Sequence, residues 1–450
     1  MDDLNNPDLP EEQTPPDGNT IFFTTPTKAQ WSEQELNAEE RFDHSTFDTD
    51  SALPEDAQGL PMLFPEEEPE EELPLAEEPT RVKRPVKRKK STARKVLRVF
   101  AVIGKWLLGI LLTVAILAAG LVGYLTVTEY NPAHAEIAER GANNAADKLA
   151  KMNLRLVTFN TGFGGLDENA DFFMDGGEGV NPSSQEQVER NMIGIEEILS
   201  EQNADILLLQ EVDTDSKRSF RLNQWLQYEY DLEDYETRFA LNYSCDYVPY
   251  PLKDRIGEVH SGIATYSCYD ISSATRYSLP CPFSWPTRVA NLKRCMLVTR
   301  LPIENREEEL VIVNFHLEAY DDGGGKTAQF EQLMDFLQAE YEKGNYVIAG
   351  GDFNQAFPDT LDRYPIKSTT EWEPSILAEL PEEWQYAYDA SIPTCRLLNQ
   401  PYQPSSEKTQ YYVIDGFIVS PNVAIDKVET LDEGFVYSDH NPVVLDISLK

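Results

Sequence analysis

The sequence predicts an α/β (α+β) fold: a four-layer sandwich of two mixed β-sheets flanked by helices, preceded by a disordered tail and one transmembrane helix. Short β-type runs recur from residue 154 to the C-terminus. Two stretches between them, within 188–199 and 330–337, carry apolar residues at helical spacing. Strands interleaved with two long helices favour two packed sheets covered by helices. An apolar run of membrane-spanning length precedes all of these elements.

Residues 1–80 are predicted to be a disordered acidic tail. They contain acidic clusters such as residues 66–68, many prolines, and only Lys28 and Arg41 as strong cations. Apolar residues so scattered cannot bury a core that offsets the entropy of ordering. The tail is interpreted either as a cytoplasmic docking segment or as a solvated spacer, and the composition favours the spacer.

Residues 81–105 form a basic juxtamembrane segment, and residues 106–127 a transmembrane helix. Ten basic residues and no acidic ones lie between Arg81 and Arg98. The apolar run behind them has about 22 residues, enough to cross a hydrocarbon core of about 30 Å. A cationic block beside a span marks the cytoplasmic side. The sequence therefore predicts a single-pass protein of the cell membrane with a cytoplasmic N-terminus and its main domain extracellular.

Two alternatives to this membrane anchor deserve comparison. A basic run alone is also typical of a nuclear-localisation or nucleic-acid patch. A cleaved signal peptide would lie at the very N-terminus, with an apolar stretch of about 7 to 15 residues. The apolar run here begins about a hundred residues into the chain and is longer. A single-pass anchor is therefore the favoured interpretation.

Beyond the span, residues 128–152 are predicted to be a helical stalk, because alanines recur there at helical spacing. Residues 153–450 then follow as one domain. This outer region is strongly acidic, in a chain of net charge −40, and that balance opposes nonspecific binding of nucleic acid. All five cysteines lie in it, an odd number without close pairs, which indicates neither a disulfide framework nor a zinc site. One or two disulfides stay open at this point.

Polar side chains with metal-ligand or acid/base chemistry lie at the ends of apolar runs. Eight strands are predicted, at Leu154–Asn160, Asp205–Glu211, Ser261–Tyr266, Cys295–Arg300, Leu310–Leu317, Tyr346–Asp352, Tyr411–Val419 and Val443–Ile447. The segments of interest are Leu156-Val-Thr-Phe-Asn160, Leu209-Gln-Glu211, Asn314-Phe-His316, Gly350-Gly-Asp-Phe-Asn354 and Ser438-Asp-His-Asn441. Together they predict a phosphate-ester hydrolase with its site at one edge of the sandwich.

The residue types fit that chemistry. Hydrolysis of a phosphate ester needs a hard cation, a positioned water and donors for developing charge. Asn160 and Glu211 end strands, so their oxygens can project towards a shared Mg²⁺. Taken singly, Asn160 is better interpreted as a turn residue and Glu211 as a solvent-facing strand end. Asp352 and Asn354 share one face of their segment, an arrangement that can activate a water and hold a phosphoryl oxygen.

Histidine is rare in this chain, with five residues in all. His316 ends an apolar run, and His440 lies within the Ser-Asp-His-Asn segment. An imidazole titrates near working pH, so both are candidates for phosphate donors and proton carriers. His260 is interpreted as structural, which is the usual role of a lone histidine.

Taken in order, these segments resemble the endonuclease/exonuclease/phosphatase superfamily, which includes deoxyribonuclease I, inositol polyphosphate 5-phosphatases and neutral sphingomyelinases. The resemblance covers about residues 153–450. It implies a magnesium-dependent hydrolase on a β-sandwich core, with Mn²⁺ as the alternative ion. It also implies that Asn160, Glu211 and Asp439 hold the metal or its water shell.

The same resemblance implies roles for the remaining residues. Asp352 would activate the attacking water, Asn354 would steady the transition state, and His316 would donate to a phosphate oxygen. His440 would pair with Asp415, which orients the imidazole and stabilises its charged form. The sequence leaves open whether His440 is the general base or a phosphate binder.

The chain departs from the family pattern at two positions, where Gly416 replaces an aromatic residue and Phe315 replaces threonine. Neither change removes a reactive group, so the chemistry is expected to survive.

Substrate and partners are less constrained. The phosphate ester is expected to be small or lipid-borne, and the membrane is reached through the single-pass helix. Residues 172–177 could cover the site, and Arg294 is the loop cation most favoured to bind a second anionic group. The alternatives are an extracellular nuclease, disfavoured by the acidic charge, and a non-catalytic binding module of the same fold. No obligate protein partner is inferred.

Overall fold

A computed structural model describes residues 92–145, 147–321, 324–367 and 372–450. The predicted acidic tail of residues 1–80 lies outside the described residues, as does the first part of the basic segment.

The described residues form five α-helices, which are α1 (Thr92–Val127), α2 (Gln185–Glu201), α3 (Gln224–Asp231), α4 (Gly324–Tyr341) and α5 (Thr360–Arg363). Helix α1 begins inside the basic segment and continues to the end of the predicted span. Its portion Arg94–Val127 is long and apolar enough to cross a membrane, by length and composition. It is therefore consistent with a single-pass anchor.

The strands of the described residues are β1 (Ala135–Ile137), β2 (Glu139–Arg140), β3 (Asn153–Asn160), β4 (Ile206–Asp213), β5 (Glu236–Val248), β6 (Gly257–Ser267), β7 (Ser273–Ser278), β8 (Cys295–Pro302), β9 (Glu309–His316), β10 (Tyr346–Asp352), β11 (Gln355–Ala356), β12 (Ser375–Ile376), β13 (Gln385–Ala387), β14 (Cys395–Arg396), β15 (Tyr411–Tyr412), β16 (Asp415–Val419), β17 (Val423–Thr430) and β18 (Val443–Leu449). Most of them belong to two seven-stranded sheets.

Both large sheets are mixed, and each has one parallel pair near its middle. The first has the order β17-β18-β3-β4-β6-β5-β2, with β3 and β4 parallel. The second has the order β1-β7-β8-β9-β10-β16-β13, with β9 and β10 parallel. A parallel pair needs a long crossover, and α2 and α4 supply it.

Apolar residues fill three layers between these elements. The layer between the two sheets contains Leu156 and Leu208 from the first sheet and Ile312 and Ile348 from the second. A second layer packs α2 and α3 on the outer face of the first sheet, and a third packs α4 on the outer face of the second. The predicted sandwich of two mixed β-sheets flanked by helices is confirmed.

The predicted helical stalk at residues 128–152 is wrong. Within the described part of this segment, β1 pairs with β7 at the edge of one sheet, and β2 pairs with β5 at the edge of the other. Leu149 is buried in the core between the sheets. The open sheet edges offer backbone partners that the alanine spacing cannot reveal. The segment therefore adds an edge strand to each sheet and is part of the sandwich domain, and it is not a spacer between α1 and that domain.

Other differences are local. The predicted strand at Tyr411–Val419 is interrupted, since only its ends belong to β15 and β16. Strands β5, β7 and β17 were not predicted, because polar residues break their alternation. In β5, for example, a buried ion pair joins Arg238 and Glu236. All five cysteines are free thiols, so the disulfides left open by the sequence do not form.

Candidate active site

The site lies where the core between the sheets turns from apolar to polar. Side chains alternate along a strand, so every second residue faces the opposite sheet. The apolar part of that face includes Leu156, Leu208, Ile312, Ile348 and Phe417. Two residues further along each strand, the same face carries Thr158, Gln210, Asn314 and Gly350. Two residues further again, it carries Asn160, His316 and Asp352. One alternating pattern therefore carries several strands to a common polar edge.

The polar layer beneath the site joins the two sheets. Gln210 Nε2 donates to Asn314 Oδ1 at 2.8 Å, and Asn314 Nδ2 donates to the backbone carbonyls of Leu209 and Ala264. A Cβ at Gly350 would lie 2.5 Å from Phe417 Cδ1 on the neighbouring strand β16 and 2.8 Å from Leu208 Cδ1 of the opposite sheet, so there is no room for a side chain. Asn314 is therefore a structural link, and His316 is the residue of its segment that lines the cleft.

Three site residues form one rung across neighbouring strands. Asp352 on β10 is in register with His316 on β9 and with Asp415 on β16. His316 Nε2 lies 3.3 Å from Asp352 Oδ2. Asp352 Oδ1 accepts a hydrogen bond from the Asn354 backbone N–H at 2.8 Å. Sheet register alone thus brings together residues about a hundred positions apart in sequence.

Glu211 reaches the same edge through a β-bulge. The register between β4 and β6 shifts between Leu209 and Val212, and Glu211 has a φ of 55°. Bulges re-aim side chains, and a left-handed conformation at a residue other than glycine costs about 1–3 kcal/mol. Asn160 Nδ2 lies 3.4 Å from Glu211 Oε1 and donates to Asp352 Oδ2 at 3.0 Å. The bulge therefore brings the Glu211 side chain of the first sheet close to the rung of His316, Asp352 and Asp415 in the second sheet.

Asp439 and His440 enter from the loop before β18. His440 Nδ1 lies 2.8 Å from Asp415 Oδ2, while its Nε2 lies 3.9 Å from Asp352 Oδ2 and 4.0 Å from Asp439 Oδ2. Gly162, with a φ of 52°, passes so near that a Cβ there would lie 2.9 Å from Asp439 Oδ1. All eight residues predicted for the site are therefore brought together.

Burial and like charge shift two of the carboxyl groups. Burial raises the pKa of Asp352 to about 7, and the nearby Asp415 carboxylate adds to the rise. Burial likewise raises the pKa of Asp439 to about 7, with a contribution from Glu211. A buried carboxylate holds its proton when no cation compensates its charge. This cluster thus has more negative charge than its own side chains balance.

The two histidines are shifted in opposite directions. Burial disfavours a charged His440, but attraction from Asp415 and other acidic neighbours wins and raises its pKa well above the usual value. Burial lowers the pKa of His316 well below the usual value, and repulsion from Arg294 and His440 acts in the same direction. At neutral pH His440 is therefore the charged donor and His316 the neutral one. This contrast was not apparent from the sequence.

These groups open into a cleft of about 350 Å³. Its lining includes Glu211, His316, Asp352, Asp439 and His440, and much of the rest is apolar or aromatic, including Phe163, Phe172, Phe283, Leu292, Trp372 and Leu398. The cleft thus combines acidic and imidazole groups with apolar surface.

Two cleft residues were missed from the sequence. Asp175, inside the predicted covering loop, accepts a hydrogen bond from Tyr320 Oη at 3.0 Å, and burial raises its pKa to about 6. Arg396 is buried, and its Nη2 donates to the Asp167 carbonyl oxygen at 2.6 Å. The Gly-Gly after Asp175 was the available signal for the loop. Arg396 lies in a two-residue strand, which gives no periodic signal.

The loop cations differ in what they do. Arg288 Nε and Lys293 Nζ each lie 3.2 Å from Glu129 Oε1, so both are paired within the chain. Arg218 lines the cleft but is held by Asp213. Arg294 also lines it and is buried, with its Nε 3.6 Å from Glu318 Oε2. Its Nε and Nη1 have no hydrogen-bond partner among the described residues, so Arg294 keeps donors for a ligand although Glu318 balances its charge.

Comparison with known protein families identifies the family of this fold and its type of reaction. Residues 157–440 match the sequence profile of the Endonuclease/Exonuclease/phosphatase family. The chain belongs to that family. It is accordingly a hydrolase that acts on phosphate esters. No curated protein sequence matches the chain.

Several solved structures are similar to this member of the family. An endonuclease/exonuclease/phosphatase from Beutenbergia cavernae is 16% identical over 66% of this chain and 72% of its own, with a TM-score of 0.47. One from Bacteroides vulgatus is 18% identical over 67% and 100%, with a TM-score of 0.42. The catalytic domain of human Nocturnin is 18% identical over 70% and 98%, with a TM-score of 0.40. At these values none of them bears on the substrate.

Proposed function

We propose that this phosphoesterase is metal-dependent and acts on a small or lipid-borne phosphate ester outside a membrane to which α1 anchors it. The observation that carries the proposal is the rung of His316, Asp352 and Asp415, which meets Asn160, Glu211 and Asp439 at one end of a cleft. The basic residues at the start of α1 favour a cytoplasmic N-terminus.

The residues present fit a hard divalent ion. Glu211 and Asp439 offer carboxylate oxygens, and Asn160 offers an amide oxygen, which are the ligands that Mg²⁺ prefers. The raised pKa values of Asp352 and Asp439 mark carboxyl groups that lack a compensating cation. When bound, such an ion stabilises negative charge on the phosphoryl oxygens. Mg²⁺ is the ion proposed, and Mn²⁺ would satisfy the same donors.

The chain's own residues then divide the work. Asp352 accepts a proton from the attacking water, which Asn354 and Asn160 help to position. His440, held in its charged form by Asp415, donates to a phosphoryl oxygen as charge develops there. His316 donates to a second oxygen as a neutral imidazole. The bond from phosphorus to the leaving oxygen breaks, the leaving oxygen takes a proton from solvent, and Asp352 returns the proton of the attacking water to solvent.

Metal binding should depend on pH in a defined direction. Asp352 and Asp439 have folded-state pKa values of about 7, against about 3.9 when unfolded. Between these values the folded state holds protons that the unfolded state has lost, so the stability of metal-free protein falls as pH rises from about 4 to about 7. An ion at the site offsets this loss. We expect Mg²⁺ to raise the melting temperature little at about pH 5 and most at about pH 8.

The measurement is the melting temperature of the detergent-solubilised chain with Mg²⁺ and with a chelator. Glu211→Gln should remove most of the difference, because it removes a proposed ligand. Asp205→Asn changes a buried aspartate directly before β4, at the end of the strand away from Glu211; it is the matched control and should keep the difference. An equal stabilisation at both pH values would contradict the assignment.

Arg294 should contribute to binding of the anionic substrate. We expect Arg294→Lys to raise KM for a soluble phosphate ester by about tenfold, since Lys cannot present two donors in one plane. Arg288→Lys is the control, because Arg288 pairs with Glu129 and not with the cleft. Steady-state kinetics on both variants make the test, and an unchanged KM in Arg294→Lys would remove Arg294 from the site.

A further inference from the structure

The C-terminal end of α1 is packed into the sandwich domain. Leu125 is buried and Leu121 is partly buried in an apolar cluster with β5 and the segment Thr287–Ala290. We name this the docking cluster, and its members include Leu121, Leu125, Tyr243, Cys245, Val248, Ile256, Val259, Val289 and Leu292. The membrane helix therefore ends against the domain with no flexible spacer between them.

Polar contacts fix the same junction. Tyr124 Oη donates to Asp246 Oδ2 at 2.7 Å, and Trp285 Nε1 donates to Thr126 Oγ1 at 3.0 Å. Just beyond the helix, Glu129 pairs with two basic residues of the segment before β8. Apolar packing with oriented polar contacts gives the helix and the domain a defined relative direction.

The docking cluster is also part of the wall of the cleft. Tyr243, Ile256 and Leu292 belong to the cluster and line the cleft as well. One layer of side chains thus separates the end of α1 from the space where a substrate would lie. The cleft is on the side of the domain from which the helix departs.

Helix length sets the height of this junction. At 1.5 Å per residue, Leu121 lies about 24 Å along the helix from Lys105 and about 34 Å from Arg98. A hydrocarbon core is about 30 Å thick. With the cytoplasmic boundary between Arg98 and Lys105, a core of about 30 Å ends near Leu121, and the docking cluster lies at the outer boundary of the bilayer. The neighbouring loops then meet the lipid headgroups.

Those loops have the composition of a membrane interface. Tyr250, Leu252 and Trp285 are 60%, 76% and 56% exposed, which is unusual for large apolar side chains. Lys253 and Arg255 stand exposed beside them, with the exposed Asp254 between, so the loop has a net positive charge. Aromatic residues are enriched at headgroup level, and nearby Lys and Arg attract lipid phosphates. The Phe173 ring contacts Tyr250 at 5.5 Å, which continues the surface to the covering loop of the cleft.

We propose that the cleft opens at the outer surface of the bilayer and takes a phosphate ester carried by a membrane lipid. The inference rests on the proposed function and adds the substrate class. The apolar part of the lipid stays in the bilayer while its phosphate enters the cleft. Water then adds to phosphorus and loses one proton through Asp352 to solvent, the bond to one ester oxygen breaks, and that oxygen takes one proton from solvent.

The position of the cleft is tested without any substrate. The full chain carrying Leu252→Cys in a Cys281→Ser background is labelled with a bimane fluorophore and placed in phosphatidylcholine vesicles containing spin-labelled lipid. We expect strong quenching at position 252. The control is Ile193→Cys on α2, also an exposed apolar position, at 57% against 76% for Leu252. Equal quenching at the two positions would overturn the proposal.

The substrate class is tested by kinetics on the reconstituted chain. The substrates are a soluble aryl phosphodiester, phosphatidylcholine vesicles with a fluorescent lipid phosphodiester, and the same vesicles with phosphatidic acid. We expect Leu252→Glu to lower turnover of a vesicle ester by about tenfold, because one apolar side chain is no longer buried in the bilayer. Turnover of the soluble ester should stay unchanged. Ile193→Glu should alter neither.

The outcomes separate this inference from the proposed function. Hydrolysis of the soluble ester but of neither vesicle ester would overturn the lipid assignment and keep the phosphoesterase. Failure to hydrolyse the soluble ester, with strong quenching at position 252, would leave the membrane position standing and remove the proposed chemistry.

Discussion

Asp352→Asn is expected to lower kcat by at least about three orders of magnitude, because it removes the proposed acceptor of the water proton. Asp352 lies at the centre of the rung, hydrogen-bonded to Asn160 and the Asn354 backbone and 3.3 Å from His316. Asp415 cannot replace it, since Asp415 is already paired with His440. The measurement is kcat for a soluble phosphate ester with saturating Mg²⁺.

The loss of activity should not be a loss of folding. An amide at position 352 keeps the acceptor for the Asn354 N–H and removes the repulsion from Asp415, which offsets the lost hydrogen bond from Asn160 Nδ2. We expect the free energy of unfolding of the metal-free protein to fall by no more than about 1 kcal/mol. The control Asp205→Asn should retain full turnover. A stable Asp352→Asn protein with wild-type kcat would exclude Asp352 as the base.

The sequence predicts the site residues best where buried side chains alternate regularly along a strand until the strand reaches the site. Asn160, His316 and Asp352 all follow apolar residues on one face, so each strand type and each polar end could be predicted. Asn354 and Asp439 lie in the turns that follow or precede such strands. The resemblance to the family then placed them around one ion. The depth of burial, and with it the direction of each pKa shift, depended on three-dimensional packing.

The parts that could not be predicted depend on contacts distant in sequence. Residues 128–152 lie along two sheet edges, and nothing in their alanine spacing reveals those edges. The bulge at Glu211 breaks alternation within an otherwise regular strand. Arg396 reaches the cleft from a short strand, and Asp175 reaches it from a loop. Such positions are set by the closure of the whole sandwich and not by local pattern.

Asp415 and His440 are expected to act as one unit. His440→Gln should lower kcat by about a thousandfold and Asp415→Asn by about a hundredfold, while the double variant should be no slower than His440→Gln alone. The reason is that Asp415 Oδ2 contacts His440 Nδ1 at 2.8 Å, so it works by orienting and charging the imidazole. Asp415 is thus a positioning residue. Full additivity in the double variant would show that it acts separately.

A pH profile distinguishes this role from a structural one. The Asp415 carboxylate raises the pKa of His440 and also that of Asp352. Activity needs His440 protonated and Asp352 ionised, so it falls at high pH through the first group and at low pH through the second. Removing the Asp415 charge lowers both pKa values. The whole kcat profile of Asp415→Asn should therefore move to lower pH, whereas a variant that merely loosens the loop would lower the profile without moving it.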